Sequence, residues 1–203
     1  MIKLNANLSM LFTEVEFLDR FEQAALSGFK GVEYLFPYDF AISDIREKLQ
    51  RFNLQQVLFN LPAGDWSIGD RGISCHPDRI ADFRAGVDKA IEYANGLDCK
   101  QCNALAGIVP QGCSEELARV TFVENLRYAA PRMEAAGIRL LIEAINTRDI
   151  PGFYLNNSTQ AISIIDEVAS DNLFFQYDIY HMQVMEGDLA KNIEKHLKNI
   201  AHM

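Results

Sequence analysis

The composition of the 203-residue chain excludes some classes of function before any motif is considered. Hydrophobic residues make up 49% of the chain, which is enough for one packed domain with a large core. The formal net charge is −9, from 19 basic and 28 acidic residues, and an acidic chain repels phosphate backbones and anionic lipids. We therefore expect no nucleic-acid partner and no membrane partner.

The sequence also predicts a location. The amino-terminal segment "MIKLNANLSMLFTEVEF" has two Asn inside its apolar stretch and no clear small-residue cleavage site, so it does not resemble a signal peptide. No segment reaches the ~18 consecutive apolar residues of a membrane span. We expect a cytoplasmic protein.

Short apolar strands alternate with helical patterns along the chain. The strands are apolar without strict alternation, which is typical of strands covered on both faces. Six are predicted, at residues 3–7, 31–36, 56–61, 101–106, 139–145 and 173–179.

Two helical patterns stand out between and after these strands. In the first, over residues 114–136, Ser114 suits the start, Gly137 suits the end, and Pro131 is expected to kink or break the helix. Its predicted apolar face comprises Leu117, Val120, Val123, Leu126 and Ala130. A last helix is predicted from residue 188 to about residue 198.

The repeated β-then-α order predicts one domain, residues 1–203, with a parallel sheet and helical crossovers. An open doubly wound sheet and a (β/α)₈ barrel both fit. No G-x-G-x-x-G follows the first strand, as a dinucleotide-binding fold would require. The barrel is favoured, because in that fold strand ends converge on one active-site mouth, and polar residues stand near the ends of five predicted strands: Asn7, Glu33, Asn60, Glu143 and Asp178.

Residues 62–77 form the one long irregular segment, which exceeds the usual length of a βα loop. It contains Trp66, the only Trp, and Arg71, and it is expected to lie over the mouth. The C-x-x-C of Cys99 and Cys102 has no second Cys pair to complete a zinc site, so these thiols are interpreted as structural.

Glu143 and Asp178 are the candidate metal ligands. They stand one β/α unit apart, so they should be neighbours on adjacent strands, and two facing carboxylates cannot both stay ionised in a dry site without a partner. A divalent cation with oxygen ligands, Mg²⁺ or Mn²⁺, would resolve this. The alternative is that each acid caps a helix or pairs with an Arg. His181 is expected to face a substrate oxygen or to be a hydrogen-bonded loop residue, and His76 and His196, the latter on an exposed helix, are interpreted as structural.

Several motifs together resemble the hydroxypyruvate isomerase family, which includes the 2-oxo-tetronate isomerases. They are "NANLSMLF", "GVEYLFPYD", "NLPAGDWSIGDRGI", "LIEAIN", "IPGFYL" and "QYDIYHMQVMEGDL", and they run in order from Asn5 to the end of the chain. The resemblance implies a xylose-isomerase-like TIM barrel with a divalent metal that converts hydroxypyruvate to tartronate semialdehyde in glyoxylate and carbohydrate metabolism.

The resemblance also implies roles for individual residues. Glu143 would be an acid/base residue at the metal, Asp178 a metal ligand, and His181 a substrate contact. Beside these, Arg71 is our candidate for the substrate carboxylate. Asn60 is a further candidate contact, although Phe59 stands before it where relatives can carry a histidine.

The chain departs from the family in length. About six of eight β/α units are expected, since "KNIAHM" stands where the seventh strand of the family begins, and His202 is not expected to bind metal. Exposed sheet edges would favour a homo-oligomer. One alternative is a truncated, non-catalytic barrel that acts as a metal-binding or assembly module. Another is a metal-dependent phosphodiesterase like the AP-endonuclease family, against which the four His and the net charge of −9 count.

Overall fold

Seven parallel strands form one curled sheet in the order of the chain. The structure is a computed structural model that describes residues 3–203. The strands are β1 (Asn5–Asn7), β2 (Gly31–Glu33), β3 (Gln55–Asn60), β4 (Gln101–Asn103), β5 (Arg139–Glu143), β6 (Leu173–Gln176) and β7 (Ile200–His202). The predicted α/β barrel class is confirmed, and β7 is a short strand beyond the six predicted.

Helices cover the outer face of this sheet. They are α1 (Arg20–Leu26), α2 (Ile42–Arg51), α3 (Ile80–Leu97), α4 (Glu115–Ala135), α5 (Ser158–Val168), α6 (Ile179–Met185) and α7 (Leu189–His196). The predicted long loop contains one short 3₁₀ helix, Trp66–Ile68, and a second, Pro77–Arg79, begins at its last residue. None of the helices in residues 3–203 combines the length and the apolar character that crossing a membrane requires.

Helix α4 begins and ends as predicted but differs inside. The Ser114 hydroxyl accepts a hydrogen bond from the Leu117 amide at 3.1 Å, and Gly137 takes a φ of 71° after the last turn. The helix continues through Pro131, so the expected break is wrong. The predicted apolar face is also partly wrong, because Leu117 is 47% exposed and Val120 48% exposed. The buried stripe instead follows Ala118, Phe122, Leu126, Ala129 and Met133.

The last helix differs from its prediction too. Helix α7 ends at His196, and His196 is buried rather than exposed. Because the helix packs Leu189 and Ile193 against the core, its last turn carries the imidazole inward.

Polar contacts inside the barrel show how strongly the sheet curls. Nε2 of His202 on β7 lies 2.8 Å from Oε2 of Glu33 on β2, although four strands separate β2 from β7 in the sheet. Gln101 on β4 also reaches His202, at 3.2 Å. Within residues 3–203 no backbone pairing joins β1 to β7, so these two strands are the sheet edges.

The loops that follow β3, β4 and β5 are tied to one another above the strand ends. Gly72 forms an antiparallel bridge with Ala106, and Ile108 forms one with Phe153. Gly72 has a φ of 117°, and a Cβ there would lie 2.5 Å from the Leu105 carbonyl oxygen, so this close approach requires glycine. The base of the 62–77 segment is therefore held firmly beside the barrel mouth.

Candidate metal centre and active site

Glu143, Asp178 and His181 meet at the carboxyl ends of β5 and β6. Glu143 is the last residue of β5, Asp178 follows β6, and His181 lies in the first turn of α6. One potential ligand atom from each side chain lies within 4.8 Å of the other two. A parallel sheet places consecutive strand ends side by side, which is why acids 35 residues apart in the chain become neighbours.

Asp178 has a second role that the sequence left open. Its Oδ1 accepts a hydrogen bond from the His181 amide at 2.8 Å, so the carboxylate caps α6. This contact uses one of the two carboxylate oxygens. The other open alternative, an ion pair with Arg or Lys, is not found for Glu143 or Asp178 in residues 3–203.

Glu143 is a buried acid with few compensating contacts. Asn103 on β4 donates its side-chain amide to Glu143 Oε2 at 3.1 Å and to Asn60 Oδ1 at 3.1 Å. Burial raises the pKa of Glu143 to about 8, and the negative charges of Asp178 and Glu33 act in the same direction. The donor set and the excess of negative charge therefore fit a divalent cation.

The imidazole of His181 is held through its Nδ1 atom. Nδ1 lies 2.7 Å from the side-chain amide nitrogen of Asn146, which in turn contacts Asp149. The hydroxyl of Tyr180 donates to the same carboxylate at 2.7 Å. The imidazole therefore sits at the end of a chain of polar contacts.

Arg71 and Asn60, the candidate substrate contacts, lie in different surroundings. The Arg71 guanidinium stacks over the Trp66 ring, 4.4 Å from its centroid, and donates to the carbonyl oxygens of Trp66 and Asp70. Asn60 is buried and reaches Glu143 only through Asn103. The structure does not bring Arg71 into contact with the three clustered residues.

The strand-end pattern missed several polar residues of the barrel interior. Asn103 ends β4, but the predicted strand continued to residue 106 and so hid it. Glu33 and its partner Asn7 were both noticed as strand-end residues, whereas the other two partners of Glu33 were missed: Asn5 and His202. A search for polar residues at every second position of the strands would have found Asn5 and Gln101.

Two surface cavities lie away from this centre. One, of about 470 Å³, is lined by residues that include Asp171, Leu173 and Lys198, where β6 begins. The other, of about 400 Å³, is lined by residues that include Asn53 and Gln55, where β3 begins. Both are at the amino ends of their strands, and in this fold active sites lie at the carboxyl ends.

A known protein family matches most of the chain. The family described as xylose isomerase-like TIM barrel matches residues 21–203. The chain belongs to this family. Hydroxypyruvate isomerase from Escherichia coli (strain K12) is 51% identical over 203 residues, which cover 100% of this chain and 79% of the relative. A 2-oxo-tetronate isomerase from Cupriavidus necator is 42% identical and is covered to 78%.

Solved structures match the chain as well. A structure described as AP endonuclease, family 2, from Brucella melitensis has a TM-score of 0.97 at 44% identity, covering 100% of this chain and 78% of that one. A structure of L-ribulose 3-epimerase has a TM-score of 0.79 at 20% identity over 98% of this chain and 68% of that one, a likeness of fold alone. The predicted resemblance and the predicted enzyme class, an isomerase, are confirmed.

Proposed function

We propose that the protein interconverts hydroxypyruvate and tartronate semialdehyde, or the two forms of a related 2-oxo hydroxy acid. The observation that carries this proposal is the meeting of Glu143, Asp178 and His181 at the carboxyl ends of β5 and β6. The names of the relatives that are 51% and 42% identical support the same reaction class.

Glu143 and Asp178 would hold a divalent cation, Mg²⁺ or Mn²⁺. Their carboxylates lie close together without a basic partner in the described residues, and hard cations prefer such oxygen ligands. When bound, the cation supplies positive charge that stabilises the enediolate formed during proton transfer.

Glu143 is the proposed proton carrier. It takes a proton from the hydroxyl-bearing C3 of hydroxypyruvate and returns one to C2, the former carbonyl carbon, while the hydroxyl proton passes from the oxygen on C3 to the oxygen on C2. Burial raises the pKa of Glu143 to about 8 without a cation, and a bound cation would lower that pKa and favour the carboxylate form that accepts the proton. His181 contacts a substrate oxygen in this scheme.

Arg71 is the proposed partner of the substrate carboxylate, and Asn60 a further contact. Trp66 stacks on the guanidinium and Phe36 packs on Trp66, with ring centroids 5.3 Å apart. A guanidinium held in this way keeps free N–H groups that match a carboxylate. Asn60 would contact the substrate through its side-chain N–H groups, since its oxygen already accepts a hydrogen bond from Asn103.

We infer a cytoplasmic enzyme of glyoxylate and carbohydrate metabolism with a small-molecule substrate, no nucleic-acid or membrane partner, and self-association through the sheet edges. The alternative is a non-catalytic metal-binding or assembly module. A metal-dependent phosphodiesterase is disfavoured, since such an enzyme needs a basic groove and several His ligands. The net charge is −9, and the cluster of candidate metal ligands in residues 3–203 includes one His.

The proposal is tested by following hydroxypyruvate consumption by the 203-residue chain with Mg²⁺, with Mn²⁺ and with a chelator. We expect metal-dependent turnover that Glu143→Gln lowers roughly 10²–10⁴-fold. The matched control is Glu167→Gln, a surface acid paired with Arg119. Metal binding without turnover would reject the isomerase in favour of the module, and cleavage of abasic DNA would favour the phosphodiesterase.

A further inference from the structure

The side-chain amide of Asn146 has a defined orientation. Asn146 is buried in the loop after β5, and its Oδ1 accepts a hydrogen bond from the Asp149 backbone amide at 2.8 Å. A backbone N–H can only donate, so the atom facing it is the oxygen. The nitrogen Nδ2 must then be the atom that contacts Asp149 Oδ2 at 3.0 Å and His181.

The orientation of Asn146 determines which nitrogen of His181 carries a proton. Asn146 Nδ2 lies 2.7 Å from His181 Nδ1, and an amide N–H donates, so Nδ1 must accept. In the neutral imidazole the proton is then on Nε2. A metal-bound His has the opposite arrangement: one nitrogen gives its lone pair to the metal and the other donates its N–H to an acceptor.

We propose that Asn146, held by Asp149, is a positioning residue that fixes His181 as the Nε2–H tautomer. His181 is thereby a hydrogen-bond donor to a substrate oxygen and not a third metal ligand. The identity of that oxygen, on a 2-oxo hydroxy acid, rests on the proposed function, whereas the tautomer does not. Tyr180, which donates to the same oxygen of Asp149 at 2.7 Å, completes the support.

The tautomer of His181 also determines which ligand atoms reach the cation. With His181 as a donor, the chain offers the cation carboxylate oxygens alone from this cluster, and oxygen-only sites favour Mg²⁺ or Mn²⁺ over Zn²⁺. A neutral N–H aimed at an oxygen that gains negative charge also stabilises the transition state without transferring its own proton.

The decisive measurement is the position of the imidazole proton, read from long-range ¹H–¹⁵N NMR correlations at about pH 8, where an ordinary His is neutral. Metal is removed first and Mg²⁺ is then added. We expect the His181 proton on Nε2 in both conditions. His76 is an internal reference, because its Nε2 faces the Ile108 carbonyl oxygen at 2.8 Å and must carry the proton there.

Asn146→Asp reverses the contact, since a carboxylate only accepts. The proton should therefore move to Nδ1, which leaves the lone pair of Nε2 free to bind a metal. Zn²⁺ affinity should then increase about 10-fold or more, which is the size of effect that outer-shell partners have at metal-binding His residues. The control is Asn157→Asp, which adds the same charge at the start of α5, where Asp caps equally well. It should change neither the tautomer nor Zn²⁺ affinity.

The outcomes separate this inference from the proposed function. A wild-type proton on Nδ1, or unchanged tautomer and Zn²⁺ affinity in Asn146→Asp, overturns the inference. If Asn146→Asp does not fold, the wild-type spectrum decides alone. A chain with the proton on Nε2 that never turns over hydroxypyruvate supports the tautomer and refutes the isomerase. In an active enzyme, Asn146→Asp should lower kcat roughly 10²-fold.

Discussion

Nε2 of His202 on β7 lies 2.8 Å from Oε2 of Glu33 on β2, and this contact crosses the interior of the barrel. Both side chains are largely buried, with 11% and 16% of their surface exposed. Asn5 and Asn7 donate to the same carboxylate. The contact joins the last described strand to the second, so it should hold the curvature of the sheet.

Breaking this contact should destabilise the fold. His202→Ala removes a charge-assisted donor from a buried carboxylate, which costs roughly 1.5–3 kcal/mol. Urea denaturation of this variant, of Glu33→Gln and of the double variant measures the coupling between the two residues. Glu167→Gln, which breaks the more exposed pair with Arg119, should cost under about 1 kcal/mol. Additive effects of the two barrel variants would show that the contact contributes nothing.

The contact between Glu33 and His202 should also make the stability of the fold depend on pH in acid. Burial alone raises the pKa of Glu33, but the hydrogen bond and charge of His202, with the two Asn donors, lower it below its ordinary 4.5. A lowered pKa means that the unfolded chain takes up the proton first, so the contribution is present above pH 4.5 and is lost as the pH falls through the lowered value. Glu33→Gln should flatten the acid branch of a stability–pH curve measured below pH 4.5.

The half-buried His76 and the buried His196 predict a further pH effect in a different window. Burial lowers the pKa of His76 and of His196 below the ordinary 6.5. Just below pH 6.5 these histidines therefore bind protons in the unfolded chain but not in the folded chain, and their contribution to stability falls as the pH decreases. Glu143, with its pKa raised to about 8, takes up a proton in the folded chain over the same range and acts in the opposite direction. The histidine effect is therefore read as a difference: between about pH 7.5 and about pH 5.5 the denaturation midpoint of the wild type should fall relative to that of a His76→Gln, His196→Gln double variant. Parallel curves for the two proteins would contradict this prediction.

The sequence was sufficient to predict the barrel and the pair Glu143 and Asp178, because strand order and strand-end acids are local patterns. Contacts that depend on the path of a loop were beyond it. The Asn146 contact to His181 requires the β5–α5 loop to fold back on α6, and no spacing rule encodes that path. The burial of His196 and the exposure of Leu117 were missed for a related reason: periodicity identifies a helix, whereas packing decides which side faces the core.

Arg71 should affect substrate binding more than turnover, if the proposed function is correct. Arg71→Met keeps the apolar stem on Trp66 but removes the charge, and a lost hydrogen bond to a charged group costs roughly 1.5–3 kcal/mol, or ~10–100-fold in KM for hydroxypyruvate. Steady-state kinetics measure this. Arg127→Met, an exposed position beside Glu124, is the control. An unchanged KM would remove Arg71 from the site.

The sheet edges should make the 203-residue chain self-associate. In residues 3–203, β1 and β7 each have one neighbour, and an edge strand offers unpaired backbone groups to another chain. Sedimentation velocity should show association that increases with protein concentration. Leu4, which precedes β1 and is 73% exposed, provides the variant: Leu4→Lys places a charge at the edge and should weaken association. A wild-type monomer at every concentration would contradict the prediction.

Metal should stabilise the wild-type chain and not its carboxylate variants. Mg²⁺ or Mn²⁺ at about 100 times its Kd adds roughly 2.7 kcal/mol to the free energy of unfolding, measured by denaturation with and without metal. Asp178→Asn removes the negative charge but keeps the helix cap, because Asn also caps α6. Both Asp178→Asn and Glu143→Gln should lose the stabilisation by metal. Without metal, Glu143→Gln should exceed the wild type in stability, since it removes an acid that on folding must either take up a proton or stay ionised beside Asp178 and Glu33. Glu167→Gln should show the same metal gain as the wild type. A metal gain retained in both site variants would place the cation elsewhere.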